Sequence, residues 1–253
     1  MDPLPVTERN DLSFKSTVRS TYNGKETGAM HDCGHDSNVA ILMGVAEVLS
    51  QMRDEIEGIV KFVFQPVEEG ALKNPDVDAI FGLHINSRLE AGKKFYKFSG
   101  IMAAAQSFEI NVKGKQAHGS RPWVSVDPIV VSALLIMGFQ TIISRESELT
   151  KEGALITIGM INAGIRSNII PETAKMIGTI KILDYDMQKF INKRMEEMVP
   201  AIAKAYRAEA TIEIEKGYPI TYNDLGLTKQ MLPSLKRMAK EGNVFAINAV
   251  TGA

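Results

Sequence analysis

Three short segments of the chain carry side chains that could bind a metal ion and move a proton. The first segment contains Cys33 and His35. In an extended segment, side chains two residues apart point to the same side, so a thiolate and an imidazole would face one ion. A soft sulfur together with a nitrogen suits zinc or a similar divalent ion. The structural alternative is a buried cysteine beside a loop histidine.

The second segment is the acidic pair Glu68-Glu69, which follows the apolar run 59–64. Carboxylates at the carboxyl end of a buried strand lie where open α/β sheets build their sites. Two adjacent acids also need a balancing charge. A metal ion would supply it: Glu69 would coordinate the ion, while Glu68 takes a proton from a bound water and returns it to a leaving amine. The alternative is a solvated acidic turn.

The third segment is the next apolar run, 79–85, near whose end His84 stands. A lone histidine at such a place is usually a structural residue. Here three strand ends would deliver Cys33, His35, Glu69 and His84 together, which favours a metal site. These ligand types accept zinc, manganese, cobalt or nickel.

The elements that must position these residues begin as an α/β segment. A helix is predicted over residues 36–53, with Asp36 or Ser37 as its N-cap. The runs 59–64 and 79–85 are almost continuously apolar, which is typical of parallel strands covered on both faces. Residues 1–100 are therefore interpreted as the first part of an α/β domain.

From residue 101 the pattern changes to strand, helix, strand, strand, helix, strand, as in a ferredoxin-like domain over residues 101–215. Asp127-Pro128 should cap and open the first helix, which runs to about residue 144. Pro200 should kink or end the second helix. The predicted strands are 108–112, 155–161, 175–183 and 211–215, and the second helix spans 187–206, with Phe190, Ile191, Met195, Met198, Ile202 and Tyr206 on its apolar stripe. Residues 216–253, with a helix over 225–240, return to the first domain.

The amino-acid composition limits the classes of binding partner that can be expected. The 253 residues include 29 basic and 30 acidic side chains, so the net charge of −1 points neither to nucleic acid nor to an anionic membrane surface. A small-molecule partner is expected. The sequence contains no run of about 18 consecutive apolar residues, the length that a membrane-spanning helix requires. The single Cys33 rules out an intramolecular disulfide and fits a reducing, cytoplasmic compartment.

Three motifs together resemble the consecutive signatures of the M20 metallopeptidase family, in particular its amidohydrolase branch of hippurate hydrolases, aminoacylase-like enzymes and auxin-conjugate hydrolases. The motifs are Met30-His31-Asp32-Cys33-Gly34-His35-Asp36, Gln65-Pro66-Val67-Glu68-Glu69-Gly70 and Gly82-Leu83-His84. The resemblance covers essentially the whole chain. It implies cleavage of the amide bond of N-acyl amino acids, with Cys33, His35, Glu69 and His84 as metal ligands and Glu68 as the general base.

The resemblance also implies a fold. It is an α/β, zinc-peptidase-like mixed sheet flanked by helices, incomplete in this chain, with an inserted ferredoxin-like α+β lid that mediates homodimerisation. Gly114-Lys115-Gln116-Ala117-His118 matches the family's lid histidine, which reaches across the dimer to stabilise the oxyanion. Asn168-Ile169-Ile170-Pro171 matches the loop whose Asn168 holds the substrate carboxylate. Taken alone, His118 would more often be a surface loop residue and Asn168 a turn residue.

The sequence departs from the family pattern in three places. Asn38 stands where the branch commonly has a second histidine. The chain starts at a segment like the family's Asp-Ala-Leu-Pro, so the preceding elements are expected to be missing; Asp2, like Asp36, would be an acid that supports the metal ligands from behind. The chain also stops before the family's last metal-ligand histidine.

Two classes of function therefore stay open. One is a metal-dependent hydrolase of N-acyl amino acids or related conjugates. The other is a catalytically inactive remnant that serves as a dimerisation module or pseudoenzyme. A binding protein with a purely structural metal is disfavoured by Glu68, because a structural site closes its coordination and needs no free carboxylate beside it.

Overall fold

The computed structural model describes residues 3–22, 24–64 and 70–251, and the fold is a mixed α/β one. The chain divides into two compact units, residues 1–91 and residues 92–253. The first domain boundary predicted from the sequence, residue 100, lies near this division. The three-part domain assignment remains a prediction.

The first unit contains a hairpin and one long helix. Strands β1, Arg19–Tyr22, and β2, Lys25–Gly28, pair antiparallel, and helix α1 follows at His35–Gln51. The predicted helix is confirmed, but its predicted caps are wrong. Gly34 is the N-cap, with φ 76 and ψ 19, and no side chain caps the first turn. Because glycine adopts this left-handed conformation without strain, the chain turns into the helix one residue earlier than expected.

The apolar runs 59–64 and 79–85 do not form the predicted buried strands. Among the described residues no strand pairs with either run. Ile59 is 77% exposed and Phe81 is 63% exposed. Parallel strands become buried only when neighbouring strands and covering helices surround them, and among the described residues no strand is paired with these runs.

The second unit is built on a four-stranded antiparallel sheet. The strands lie side by side in the order Glu209–Ile214 (β10), Ala104–Lys113 (β5), Thr173–Ile182 (β9) and Ala154–Ala163 (β7). Two helices lie between these strands in the chain, so the predicted order of strand, helix, strand, strand, helix, strand is confirmed. The elements are β5 Ala104–Lys113, α2 Pro128–Thr141, β7 Ala154–Ala163, β9 Thr173–Ile182, α3 Tyr185–Ala205 and β10 Glu209–Ile214.

One face of this sheet carries the hydrophobic core. Alternate residues of β5 are buried, as the period of two in a half-covered strand requires. Helices α2 and α3 pack on that face, and Phe108 and Phe139 meet edge to face with ring centroids 6.1 Å apart. The largest fully buried side chains are Phe108, Phe139, Ile110, Leu135, Ile142, Met176, Ile180, Ile182, Ile191, Met195, Val112 and Val131.

Helix α2 begins as predicted, because the Asp127 side chain accepts hydrogen bonds from the backbone N–H groups of Ile129 and Val130. With its π-helical extension it forms an apolar segment, Pro128–Glu146, that is long enough to cross a membrane by length and composition. However, Leu135 and Phe139 are fully buried against the sheet. The segment is therefore accounted for as a core helix.

Helix α3 confirms most of the predicted apolar stripe. Ile191 and Met195 are buried as expected, but Phe190 is 36% exposed and Tyr206 is 48% exposed. Met198 and Ile202 are partly buried and pack against the core, also as expected. Met187, Val199 and Ala203 are buried in addition. Pro200 does not end the helix, which continues to Ala205.

Shorter elements complete the second unit. Strand β4, Ser99–Met102, pairs antiparallel with β11, Thr221–Asn223. Strand β3, Lys94–Tyr96, pairs parallel with β12, Val244–Ala246. The predicted last helix is observed as α4, capped by the Asp224 side chain at the N–H of Leu227. The remaining elements are β3 Lys94–Tyr96, β4 Ser99–Met102, β6 Ala117–His118, β8 Ile169–Ile170, β11 Thr221–Asn223, α4 Leu225–Ala239 and β12 Val244–Ala246.

Candidate active-site residues

Two of the predicted metal ligands lie side by side in the first unit. The Sγ atom of Cys33 is 3.8 Å from Nε2 of His84. Nδ1 of His84 faces the carbonyl oxygen of Ile85 at hydrogen-bond distance. A carbonyl only accepts, so Nδ1 carries the proton and Nε2 presents its lone pair toward the sulfur. A backbone hydrogen bond at the second ring nitrogen is also how metal-binding histidines are usually oriented.

The spacing of these two atoms fits a shared metal ion. Zinc–sulfur and zinc–nitrogen bonds of about 2.3 and about 2.0 Å at a tetrahedral angle would hold the ligand atoms about 3.5 Å apart. The observed separation of 3.8 Å is close to that value. A thiolate and an imidazole are also donors that a zinc-like ion accepts.

The segment from Cys33 to His35 is not extended, although the sequence argument for a common face assumed that it is. The positive φ of Gly34 breaks the extended segment between them, and His35 starts helix α1. Across residues 3–22, 24–64 and 70–251, no group of three or more His, Cys, Asp or Glu side chains could hold a metal ion. Glu68, Glu69 and Asp2 lie outside the described residues.

Helix α1 contains two more residues that the sequence singled out. Asp36 lies in its first turn, where the helix dipole favours a negative charge. Asn38 has a buried side-chain oxygen that no described residue hydrogen-bonds. Buried polar atoms are normally paired, so this oxygen is an exception among the described residues.

In the second unit, His118 and Asn168 come together through a short strand pair. Strand β6 pairs antiparallel with β8, opposing His118 to Ile169. The N–H of Gly119 donates to the carbonyl oxygen of Asn168 at 2.8 Å. A Cβ at Gly119 would lie 3.3 Å from that same oxygen, so a glycine suits this close approach. The ladder fixes both backbones before either side chain acts.

The His118 ring has a defined orientation. The backbone N–H of Ser120 points at Nδ1 over 3.2 Å, and the Ser120 hydroxyl lies 2.7 Å from the same nitrogen. Nδ1 therefore accepts, and the neutral ring carries its proton on Nε2. Nε2 lies 3.4 Å from Nδ2 of Asn168. Two N–H donors at this distance do not bond to each other, but both can donate to one oxygen.

An open pocket of about 540 Å³ lies beside this histidine, lined by His118, Ser120, Arg121 and Val124. The sequence analysis did not single out Ser120 or Arg121. The feature of the sequence that could have indicated them is their position in the short segment between His118 and Pro122. The lining contains imidazole, hydroxyl and guanidinium groups and no carboxylate, so it suits an anionic or oxygen-rich ligand.

Comparison with known proteins adds independent findings. A family model described as Peptidase family M20/M25/M40 matches residues 1–253. Thermostable carboxypeptidase 2 of Saccharolobus solfataricus is 35% identical over 251 residues, covering 94% of this chain and 62% of that protein. N-acyl-L-amino acid amidohydrolase of Geobacillus stearothermophilus is 33% identical over 237 residues, covering 89% of this chain and 62% of that protein.

A solved structure agrees with these matches. The Bacillus subtilis YXEP protein, described as a dinuclear metal binding peptidase from the M20 family, superimposes with a TM-score of 0.76 at 29% sequence identity. The match covers 100% of this chain and 64% of that one. The chain thus spans less than two thirds of the length of these three relatives.

Proposed function

Since the chain belongs to peptidase family M20/M25/M40, we propose that the protein is a metal-dependent amidohydrolase that cleaves the amide bond of N-acyl amino acids. The relative named N-acyl-L-amino acid amidohydrolase supports the substrate class. The observation that carries the proposal is the Cys33–His84 pair, 3.8 Å apart, with the Nε2 lone pair of the histidine turned toward the sulfur. No observation favours the alternative of an inactive remnant.

The proposed metal site consists of Cys33, His84, His35 and Glu69, with Asp2 and Asp36 as supporting acids. The divalent ion, which we propose to be zinc, manganese, cobalt or nickel, would polarise the scissile carbonyl and acidify the attacking water. The relative described as dinuclear metal binding supports a metal in this family. Protonated cysteine and histidine bind metals poorly, so metal affinity should fall at acidic pH.

The remaining steps belong to side chains of this chain. Glu68 takes a proton from the attacking water and returns it to the leaving amine. His118 donates its Nε2–H to the oxygen of the tetrahedral intermediate, where a developing negative charge strengthens the bond. Asn168 donates its side-chain N–H to the substrate carboxylate. The 3.4 Å between these two nitrogen donors supports their action on neighbouring oxygens of one substrate.

We also propose that residues 101–215 form an inserted, ferredoxin-like lid through which two subunits associate. Strand β7 is an edge strand of the sheet. Its residues Leu155, Met160 and Ile161 are 46%, 44% and 47% exposed. An edge with exposed apolar side chains can pair with a second copy across a two-fold axis. The small-molecule substrate and the single Cys33 fit a cytoplasmic enzyme, which is part of the same proposal.

The decisive experiment compares two variants of the protein. Glu68→Gln should keep its metal, measured by elemental analysis, yet lose on the order of 10²- to 10⁴-fold in hydrolysis of an N-acetyl amino acid panel. Cys33→Ser should instead lose metal, and activity with it, because a hydroxyl is a poor ligand. Near-normal turnover of Glu68→Gln, or unchanged metal content of Cys33→Ser, would contradict the assignment.

A further inference from the structure

The turn after His118 holds the backbone of one positively charged residue, Arg121, in a fixed conformation. The Arg121 N–H donates to the His118 carbonyl oxygen at 2.8 Å, and the Arg121 carbonyl accepts from the N–H of Val124 at 3.3 Å. The buried Ser125 hydroxyl donates to the Pro122 carbonyl oxygen at 2.8 Å. Since a proline also restricts the residue before it, the backbone of Arg121 is held in one conformation before a ligand arrives.

The guanidinium of Arg121 has no counter-charge in the part of the chain that the structure describes. Arg194, by contrast, binds Glu146 and Glu197 at 2.6 Å each. Arg121 lines the pocket of about 540 Å³ together with His118, and no acidic residue contributes to that lining. A pocket with an unpaired guanidinium and no carboxylate raises the local concentration of anions.

Arg121 is also distinct from the groups already assigned to the amino acid carboxylate and to the oxyanion. Those roles belong to Asn168 and His118, whose nitrogens lie 3.4 Å apart. Arg121 stands three residues after His118 on the same turn and lines the same pocket. Its planar fork matches a carboxylate by two parallel hydrogen bonds, a geometry that discriminates strongly between a carboxylate and an amide.

We propose that Arg121 is a specificity-determining residue that binds a second carboxylate of the substrate. The enzyme then prefers N-acyl derivatives of acidic amino acids over those of the corresponding amides. This inference rests on the proposed function for its substrate class. The pocket lined by Arg121 is observed independently of the proposed metal site, so the role of Arg121 and the proposed function can be contradicted separately.

The chain contains a built-in probe for this pocket. Trp123 is its single tryptophan, stands two residues after Arg121 in the same turn and is 72% exposed. Its fluorescence therefore reports on this turn without a background from other tryptophans. N-acetyl-glutamate and N-acetyl-glutamine are suitable ligands because they have nearly the same shape and differ in side-chain charge.

The experiment titrates both ligands against the 253-residue chain and against Arg121→Gln, Arg121→Lys and Arg145→Gln. The unmodified chain should bind N-acetyl-glutamate more tightly than N-acetyl-glutamine by on the order of 10- to 100-fold, the size expected for a charged hydrogen-bonded pair. Arg121→Gln should abolish the preference, and Arg121→Lys should keep part of it. Arg145→Gln removes one exposed positive charge outside the pocket lining and should leave the preference unchanged.

Steady-state kinetics of hydrolysis provide the second readout. Arg121→Gln should raise KM for the glutamate derivative, leave its kcat within about twofold as expected for uniform binding, and barely change either constant for the glutamine derivative. Equal losses for both ligands, an unchanged preference, or no saturable fluorescence response would overturn the inference. Hydrolysis of neither compound, with an Arg121-dependent binding preference intact, would instead count against the proposed function alone.

Discussion

Phe139 and Phe81 both belong to apolar stretches of sequence but have opposite environments. Phe139 of helix α2 is fully buried, whereas Phe81 in the run 79–85 is 63% exposed. The first lies between a sheet and a second helix that the same unit supplies. The second has no strand beside it among the described residues. Burial is therefore a property of the partner surface as much as of the residue.

The same contrast separates the two groups of candidate site residues. His118 and Asn168 are held by a strand ladder on the unit with the closed core. Cys33 and His84 meet in the unit whose apolar runs are exposed. Precise sites need backbones that do not move when a ligand binds. We therefore expect the backbone of the pocket beside His118 to keep its position in this chain, and the positions of Cys33 and His84 to be less firmly held.

The largest expected effect comes from separating the two regions. Residues 101–215, expressed alone, should fold cooperatively and dimerise, since the core side chains of the four-stranded sheet all lie within that range. Residues 1–91 alone should lack a cooperative transition, because their apolar runs have nothing to pack against. Circular dichroism melting and sedimentation measure both properties. A disordered or strictly monomeric 101–215 segment would show that it depends on the rest of the chain.

Two phenylalanine truncations test the contrast inside the intact chain. Phe139→Ala should lower the free energy of unfolding by about 3–5 kcal/mol, because it empties a packed site against Phe108. Phe81→Ala is the matched control and should change it by less than about 0.5 kcal/mol. Urea titration of the 253-residue chain measures both values. A large cost for Phe81→Ala would mean that the run 79–85 is buried after all.

The first unit also has one well-anchored loop, and Lys61 provides the anchor. Its Nζ donates to the carbonyl oxygens of Ala71, Lys73 and Pro75 at 2.9, 2.8 and 3.2 Å. Lys61→Met should cost roughly 1.5–3 kcal/mol of local stability, the range for hydrogen bonds to a charged group. Hydrogen exchange at the amide of Val77, which donates to Leu72, should then accelerate.

The matched control for that loop is Lys73→Met. It removes a positive charge from the same loop, while the Lys73 carbonyl stays available to Lys61. Its amide exchange should match that of the unmodified chain. If both variants exchange alike, net charge rather than the three carbonyl contacts controls the loop.

The smallest expected effect is in the well-packed unit, at the N-cap of helix α3. The pKa of Asp184 lies below its ordinary value because its carboxylate accepts the Met187 N–H at 2.9 Å and pairs with Lys151 at 2.9 Å. Asp184→Ala should cost about 1 kcal/mol. Lys151→Met separates the contribution of the salt bridge from that of the cap.

The pH dependence of this cap has a definite sign. A carboxyl group with a lowered folded pKa contributes stability above its unfolded pKa of about 3.9, and the contribution is lost as pH falls through the folded value. The stability difference between the unmodified chain and Asp184→Ala should therefore be constant near neutral pH and shrink below about pH 4. Thermal melts of both proteins between about pH 3 and about pH 7, a range that brackets the unfolded pKa, measure this stability difference. A difference that grows toward low pH would contradict the capping role.

The sequence by itself determined the elements whose partners lie close along the chain. The alternation in 108–112 predicted strand β5, and Asp127-Pro128 predicted the start of helix α2, because both signals are local. The family motifs also contain Cys33, His84, His118 and Asn168. The structure brings these together as two pairs.

Tertiary structure alone decided three other matters. The positive φ of Gly34 makes His35 the start of a helix, so the i, i+2 rule for extended segments does not apply between Cys33 and His35. Helix α3 has apolar residues on neighbouring stripes, and the sheet selected the stripe of Met187 and Val199 over that of Phe190. A helical pattern limits which residues can face a core, but the shape of the opposing surface determines which ones do.

Arg121 and the apolar runs follow from the same physical reason. No local pattern shows that an arginine lacks a counter-charge, because its partners could come from any part of the chain. Likewise, the apolar character of 59–64 and 79–85 states only that burial would be favourable. Whether a surface exists to bury them is a non-local fact, and among the described residues none covers Ile59 or Phe81.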